Sequence, residues 1–100
     1  MENILTVEIE REVQSIVPEF LENRKKDCLL ISSLLETNSF SEIRTLGHQM
    51  KGAGGSYGFD DISEIGEVIE EAALTEDKET ISIKVLQLSH YLERVAVVYV

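Results

Sequence analysis

The chain has 100 residues, 43% of them hydrophobic, and a formal net charge of −10 from 19 acids against 9 Lys and Arg. That is enough apolar chain for one core and too much for disorder, while the acidity repels phosphate backbones and anionic lipid, so neither nucleic acid nor a membrane is an expected partner. No apolar run approaches the roughly 18 to 20 residues that span a bilayer, no basic-then-apolar leader begins the chain, and the lone cysteine, Cys28, excludes an internal disulfide; a free-standing, cytoplasmic, monomeric protein with one domain over 1–100 is expected.

Ile9, Val13 and Ile16 are spaced at four and three, which predicts a short helix over about 8–16 that packs as a lid. Pro18 suits the first turn of a second helix, predicted over about 18–36 with Phe20, Leu21, Cys28, Ile31, Leu34 and Leu35 on its buried face. Thr37-Asn38-Ser39 reads as a polar turn, and Ser39-x-x-Glu42 as a capping box for a helix over about 40–57. Gly58 is a natural stop, and Asp61-x-x-Glu64 is a second capping box. The helix that follows, over about 61–75, turns Ile62, Ile65, Gly66, Ile69, Ala72 and Ala73 inward and Glu64, Glu67, Glu70 and Glu71 to water. A last helix over about 80–97 carries Ile81, Val85, Leu88, Leu92, Val95 and Tyr99 at alternating spacings of four and three, with a strand as the alternative at its β-branched end. The fold class expected is all-α: an up-down antiparallel four-helix bundle with a short extra N-terminal helix.

The helix over 40–57 holds the unusual chemistry. At roughly 100° per residue, Ile43, Leu46, Met50, Ala53 and Tyr57 share one arc, with Gly47 and Gly54 at its edge. His48 lies about 170° from the centre of that arc, and Arg44, Lys51, Gly52 and Gly55 share its side within about 60°. The window 44–59 contains no acid. Glycine inside a helix costs about 1 kcal/mol relative to alanine, so Gly52, Gly54 and Gly55 so close together need a reason. Bare backbone at Gly52 and Gly55 gives a bulky partner access to the imidazole. Gly47 and Gly54 permit close helix packing instead. His90 also falls opposite its stripe, but it has no glycine and no net positive field around it, and reads as ordinary surface.

His48-Gln-Met-Lys51-Gly52-Ala-Gly54-Gly55-Ser56-Tyr-Gly58 resembles the histidine-containing phosphotransfer (HPt) domain of bacterial two-component phosphorelays, whose core is His-x-x-Lys-Gly followed by small residues and further glycines. The flanking helices match an HPt bundle over most of the chain. The resemblance implies that His48 accepts a phosphoryl group on its outer nitrogen, Nε2, from the aspartyl phosphate of a receiver domain and passes it to another. Such receivers belong to response regulators or hybrid histidine kinases. It further implies that Lys51 holds the phosphate oxygens and that Gly52 clears the approach. Arg44, from its spacing alone, would add positive potential. On this reading the chain has no cofactor or metal of its own, borrows Mg²⁺ and catalytic acids from the receiver, and is a carrier with no turnover.

Other chemistries fit worse. A dinucleotide loop would need glycine where Tyr57 stands, and a P-loop needs lysine after its glycine. Two histidines far apart, each without a ligating neighbour at helical spacing, make no metal site. Cys28 is spaced with Ile31 and Leu35 as core. The remaining alternative is a bundle that binds receiver or kinase domains as an adaptor or inhibitor without being phosphorylated.

Overall fold

Leu5, Val7 and Ile9 alternate with Thr6 and Glu8, and a half-buried strand asks only for that period of two. In the computed structural model, which describes residues 3–100, this stretch is strand β1 (Leu5–Ile9), followed by one 3-10 turn at Arg11–Val13. β1 runs parallel to β2 (Val95–Tyr99), with Leu5 opposite Val95 and Ile9 opposite Tyr99. The Arg11 amide donates to the Val100 carbonyl and the Val100 amide to the Ile9 carbonyl, each at 3.0 Å, which extends the ladder. The helix expected over 8–16 is therefore absent, and the last helix ends at Arg94 instead of near 97. Both corrections have one cause. Ile9 satisfies a helical spacing and a strand alternation equally, and β-branched Val95, Val97 and Val98 favour a pleated pairing once a partner strand is within reach.

Between the strands lie α1 (Val17–Glu36), α2 (Phe40–Tyr57), α3 (Asp60–Leu74) and α4 (Lys78–Arg94), so the chain is mostly helical. The principal helix contacts are α1 with α2 and α4, and α3 with α2 and α4. All six residues expected on the inner face of α3 are buried. Ile81, Val85, Leu88 and Leu92 of α4 are buried likewise, joined by Tyr91. Phe59, between α2 and α3, is fully buried; its ring stacks on Phe20 with centroids 5.3 Å apart, and Tyr57 meets Phe20 edge-on at 5.1 Å. These three rings fasten α1 to the turn that ends α2.

Neither expected capping box forms. Ser39 precedes α2, but its hydroxyl lies 2.7 Å from that of Thr37 and makes no cap bond; α3 starts one residue early, with Phe59 at its cap position. A side-chain cap is found on α4, where Asp77 accepts from the Thr80 hydroxyl at 2.7 Å and the Thr80 amide at 3.1 Å, holding its carboxyl below the ordinary value. Gly58 ends α2 in the left-handed conformation at φ 88°, and the Phe59 amide reaches back to the Gly54 carbonyl at 2.8 Å.

The closest packing is between α2 and α3, backbone against backbone. A Cβ on Gly47 would stand 2.7 Å from the Glu70 amide nitrogen, one on Gly54 2.7 Å from that of Ser63, and one on Gly66 2.6 Å from that of Lys51. The contacts run in reverse order along the two helices, which makes this pair antiparallel. The glycines that helical phase puts at the edge of the buried arc are thus buried contact points, while Leu46, Ala53 and Tyr57 within that arc are only partly buried. A Cβ on Gly52 would meet nothing within 4 Å. Gly66→Ala is accordingly expected to lower the unfolding free energy by roughly 2 to 3 kcal/mol through overpacking. Gly52→Ala should raise it by about 0.5 to 1 kcal/mol through helix propensity. Urea unfolding of both variants checks the contrast.

Candidate functional site

His48 projects from the middle of α2 with its side chain 72% exposed. It does not stand alone in solvent. Its Nδ1 lies 3.0 Å from Oε2 of Glu70, a half-buried residue on α3. A carboxylate can only accept, so this bond requires the proton on Nδ1, and in the neutral ring that leaves the lone pair on Nε2. Among the described residues Nε2 has no hydrogen-bond partner.

Arg44 and His48 line one open cleft together with Ser41, Thr45 and Glu70. Arg44 makes no ion pair among the described residues. Lys51 is placed differently. Its ammonium lies 3.6 Å from Oε1 of Glu67 on α3, with both side chains about half exposed, and it does not line the cleft that holds His48. Gly52 leaves open space beside this face, and a Cβ on Gly55 would meet only the Ser63 hydroxyl at an ordinary 3.6 Å. The sequence window without acids is therefore not a region without acids: α3 sets one carboxylate against His48 and another against Lys51.

Glu67 and Glu70 are the residues that the sequence reading misplaces. Helical phase puts them with Glu64 and Glu71 on a wet face, and Glu64 and Glu71 are indeed exposed. The other two are turned to α2 because Gly47, Gly54 and Gly66 let the helices touch, and Glu67 and Glu70 flank that seam. Gly66 on the α3 stripe is the one available signal, since a glycine on the inner face of a helix marks where another backbone approaches, here at Gly47 and Lys51.

The rest of the reactive inventory is structural. Cys28 is buried in the core, and burial, reinforced by the nearby Asp27 carboxylate, pushes its thiol up to about 11, which keeps it protonated near neutral pH. His90 is exposed on α4. Among the described residues no three of His, Cys, Asp and Glu gather to hold a metal ion, and no helix is long and apolar enough to cross a membrane.

Glu70 can be tested as the residue that fixes the tautomer. In Glu70→Ala the ratio of Nδ1–H to Nε2–H imidazole at His48 should fall about fivefold, the size expected for losing a hydrogen bond worth roughly 1 kcal/mol. Nitrogen NMR of the neutral ring reads this directly, and an unchanged ratio would mean that Glu70 does not set it.

A family model of the Hpt domain matches residues 15–97. No curated protein and no solved structure matches the chain. Hpt domains carry phosphoryl groups in two-component phosphorelays, are not turnover enzymes, and interact with receiver domains. The mostly helical chain with four helices agrees with the fold of that family. Covering nearly the whole sequence, the match shows that this chain belongs to the Hpt domain family.

Proposed function

We propose that the chain is a phosphorelay intermediate: His48 Nε2 takes the phosphoryl group from the aspartyl phosphate of one receiver domain and yields it to another. The observation that carries this is the pairing of an exposed imidazole with a carboxylate on Nδ1. Nε2 attacks phosphorus, the aspartyl oxygen–phosphorus bond breaks, and the charge arising on the ring is held on Nδ1–H beside Glu70. In the reverse sense the proton retained on Nδ1 lets the ring leave as neutral imidazole, a far better leaving group than imidazolate. Glu70 therefore serves acceptance and release alike as a positioning residue.

Phosphoryl transfer depends chiefly on placement and on stabilising the equatorial oxygens. Arg44, in the His48 cleft and without an ion pair among the described residues, is the cation best placed for the incoming group, and Lys51 joins it once drawn from Glu67. Gly52 and Gly55 leave the flank of α2 low enough for a receiver to seat. A second cleft, lined by Leu30, Leu34, Leu46 and Gln49, shares Ser41 and Thr45 with the His48 cleft, and gives such a partner apolar ground beside the reacting nitrogen. Mg²⁺ and the catalytic acids come from the receiver on this reading. The four helices are read as an up-down bundle in a soluble monomer of the cytoplasm.

The alternative, an adaptor that binds receivers without being phosphorylated, keeps the same surface and dispenses with the Nε2 lone pair. Transfer of acid-labile radiolabelled phosphoryl from a phosphorylated receiver separates the two. The wild type should be labelled and His48→Gln should not; label retained in His48→Gln, or absent from the wild type with every receiver tried, rejects the relay. A Cβ at Gly52 meets open space, so Gly52→Leu should fold normally while slowing transfer on the order of tenfold, a barrier change of about 1.4 kcal/mol. Unimpaired transfer in that variant would remove the steric role from Gly52.

A further inference from the structure

Lys51 is the residue at which α3 grips α2 most completely. Gly66 brings the α3 backbone against the Lys51 amide, the Ser63 hydroxyl donates to the Lys51 carbonyl at 2.9 Å, and Glu67 faces the ammonium at 3.6 Å. The ion pair is partly exposed, but its two backbones are fixed by direct contact, so Glu67 remains beside Lys51 without ordering a flexible segment. Arg44 has no such opponent among the described residues.

We propose that Glu67 is a positioning residue that competes with the phosphoryl group for the Lys51 ammonium, so that Lys51 shifts from Glu67 to the group as it arrives on His48. The inference rests on His48 being the phosphoryl acceptor. An exposed pair of this kind is weak, which suits the purpose: a phosphoryl dianion outcompetes a single carboxylate. Breaking the pair counts against the phosphorylated form, and its return favours departure of the group. Glu67 thereby raises the transfer potential of phosphohistidine, which favours departure of the group to either receiver. Glu67 also lines a cleft with Lys84, which donates to the Gln87 amide oxygen at 3.0 Å, so the released carboxylate has a second cation in its cleft, shared there with Asp61 and Glu64.

The test uses phosphoramidate as a donor that needs no receiver: His48 Nε2 attacks phosphorus, the phosphorus–nitrogen bond breaks, and the protonated nitrogen leaves as ammonia. Glu67→Gln should raise the labelling rate about threefold when Lys51 is present, and leave it unchanged in the Lys51→Ala background. The threefold difference should also shrink in high salt. A rise of equal size in both backgrounds would reflect only the loss of a negative charge, and no rise with Lys51 present would mean no competition; either result overturns the proposal. The relay reading fails separately. A wild type labelled on His48 by phosphoramidate but by no phosphorylated receiver would reject the relay while the Glu67 comparison still stands. A wild type that phosphoramidate does not label on His48 would overturn the Glu67 proposal, while the relay stands or falls on labelling by phosphorylated receivers.

Discussion

The contact between the backbones of α2 and α3 governs what this protein can do. At Gly47, Gly54 and Gly66 any side chain would meet main-chain atoms at 2.6 to 2.7 Å, closer than non-bonded atoms come. A side-chain tip can move aside, but a helix backbone moves only as a body. The approach is therefore all or nothing along several turns. It also decides which α3 residues face α2, since Ser63, Gly66, Glu67 and Glu70 recur at spacings of three and four along that seam. Glu70 meets His48 and Glu67 meets Lys51 because the glycines bring the right turns together.

Glycine on α2 thus has two physical meanings seven residues or fewer apart. Gly47 and Gly54 remove Cβ atoms that would separate two helices of the same chain, whereas Gly52 removes one that would otherwise face only solvent. The first kind returns its helix-propensity cost as packing within the fold. The second has no return inside the chain, and its cost is offset elsewhere or tolerated. A conformational preference weakened for no internal gain is the mark a partner-facing flank would leave, which is the role proposed for Gly52.

The sequence made the helices legible where burial is strong and local. The six inward residues of α3 and the four-three spacing of α4 needed no tertiary information, because a stripe buried on one side repeats at the helical period. Residues 8–16 were misread since β1 owes its existence to β2, which lies at the far end of the chain, and no local window contains that pairing. The site divides in the same way. The exposure of His48 and the open flank at Gly52 follow from phase along one helix. The Glu70 and Glu67 contacts depend on where a second helix lies, and an acid on the margin of a stripe carries no mark that separates it from one on the wet face.

The parallel ribbon at the chain's ends bears on the site through α2. The run from Gly52 to Gly55 is the weakest helix in the molecule by propensity, and a helix frays from its nearer end. That end lies at Gly58, where the chain turns with φ 88°. Ile9, fully buried at the end of β1, reaches within 3.3 Å of the position a Gly58 Cβ would take, and Phe59 beside it is sealed under Phe20. The strand pairing fixes Ile9, Ile9 and Phe59 fix the turn, and the turn prevents the glycine-rich segment from unwinding toward Lys51. The N-terminal strand, which carries none of the reacting groups, is on this account what allows α2 to remain helical while presenting a flank stripped of side chains.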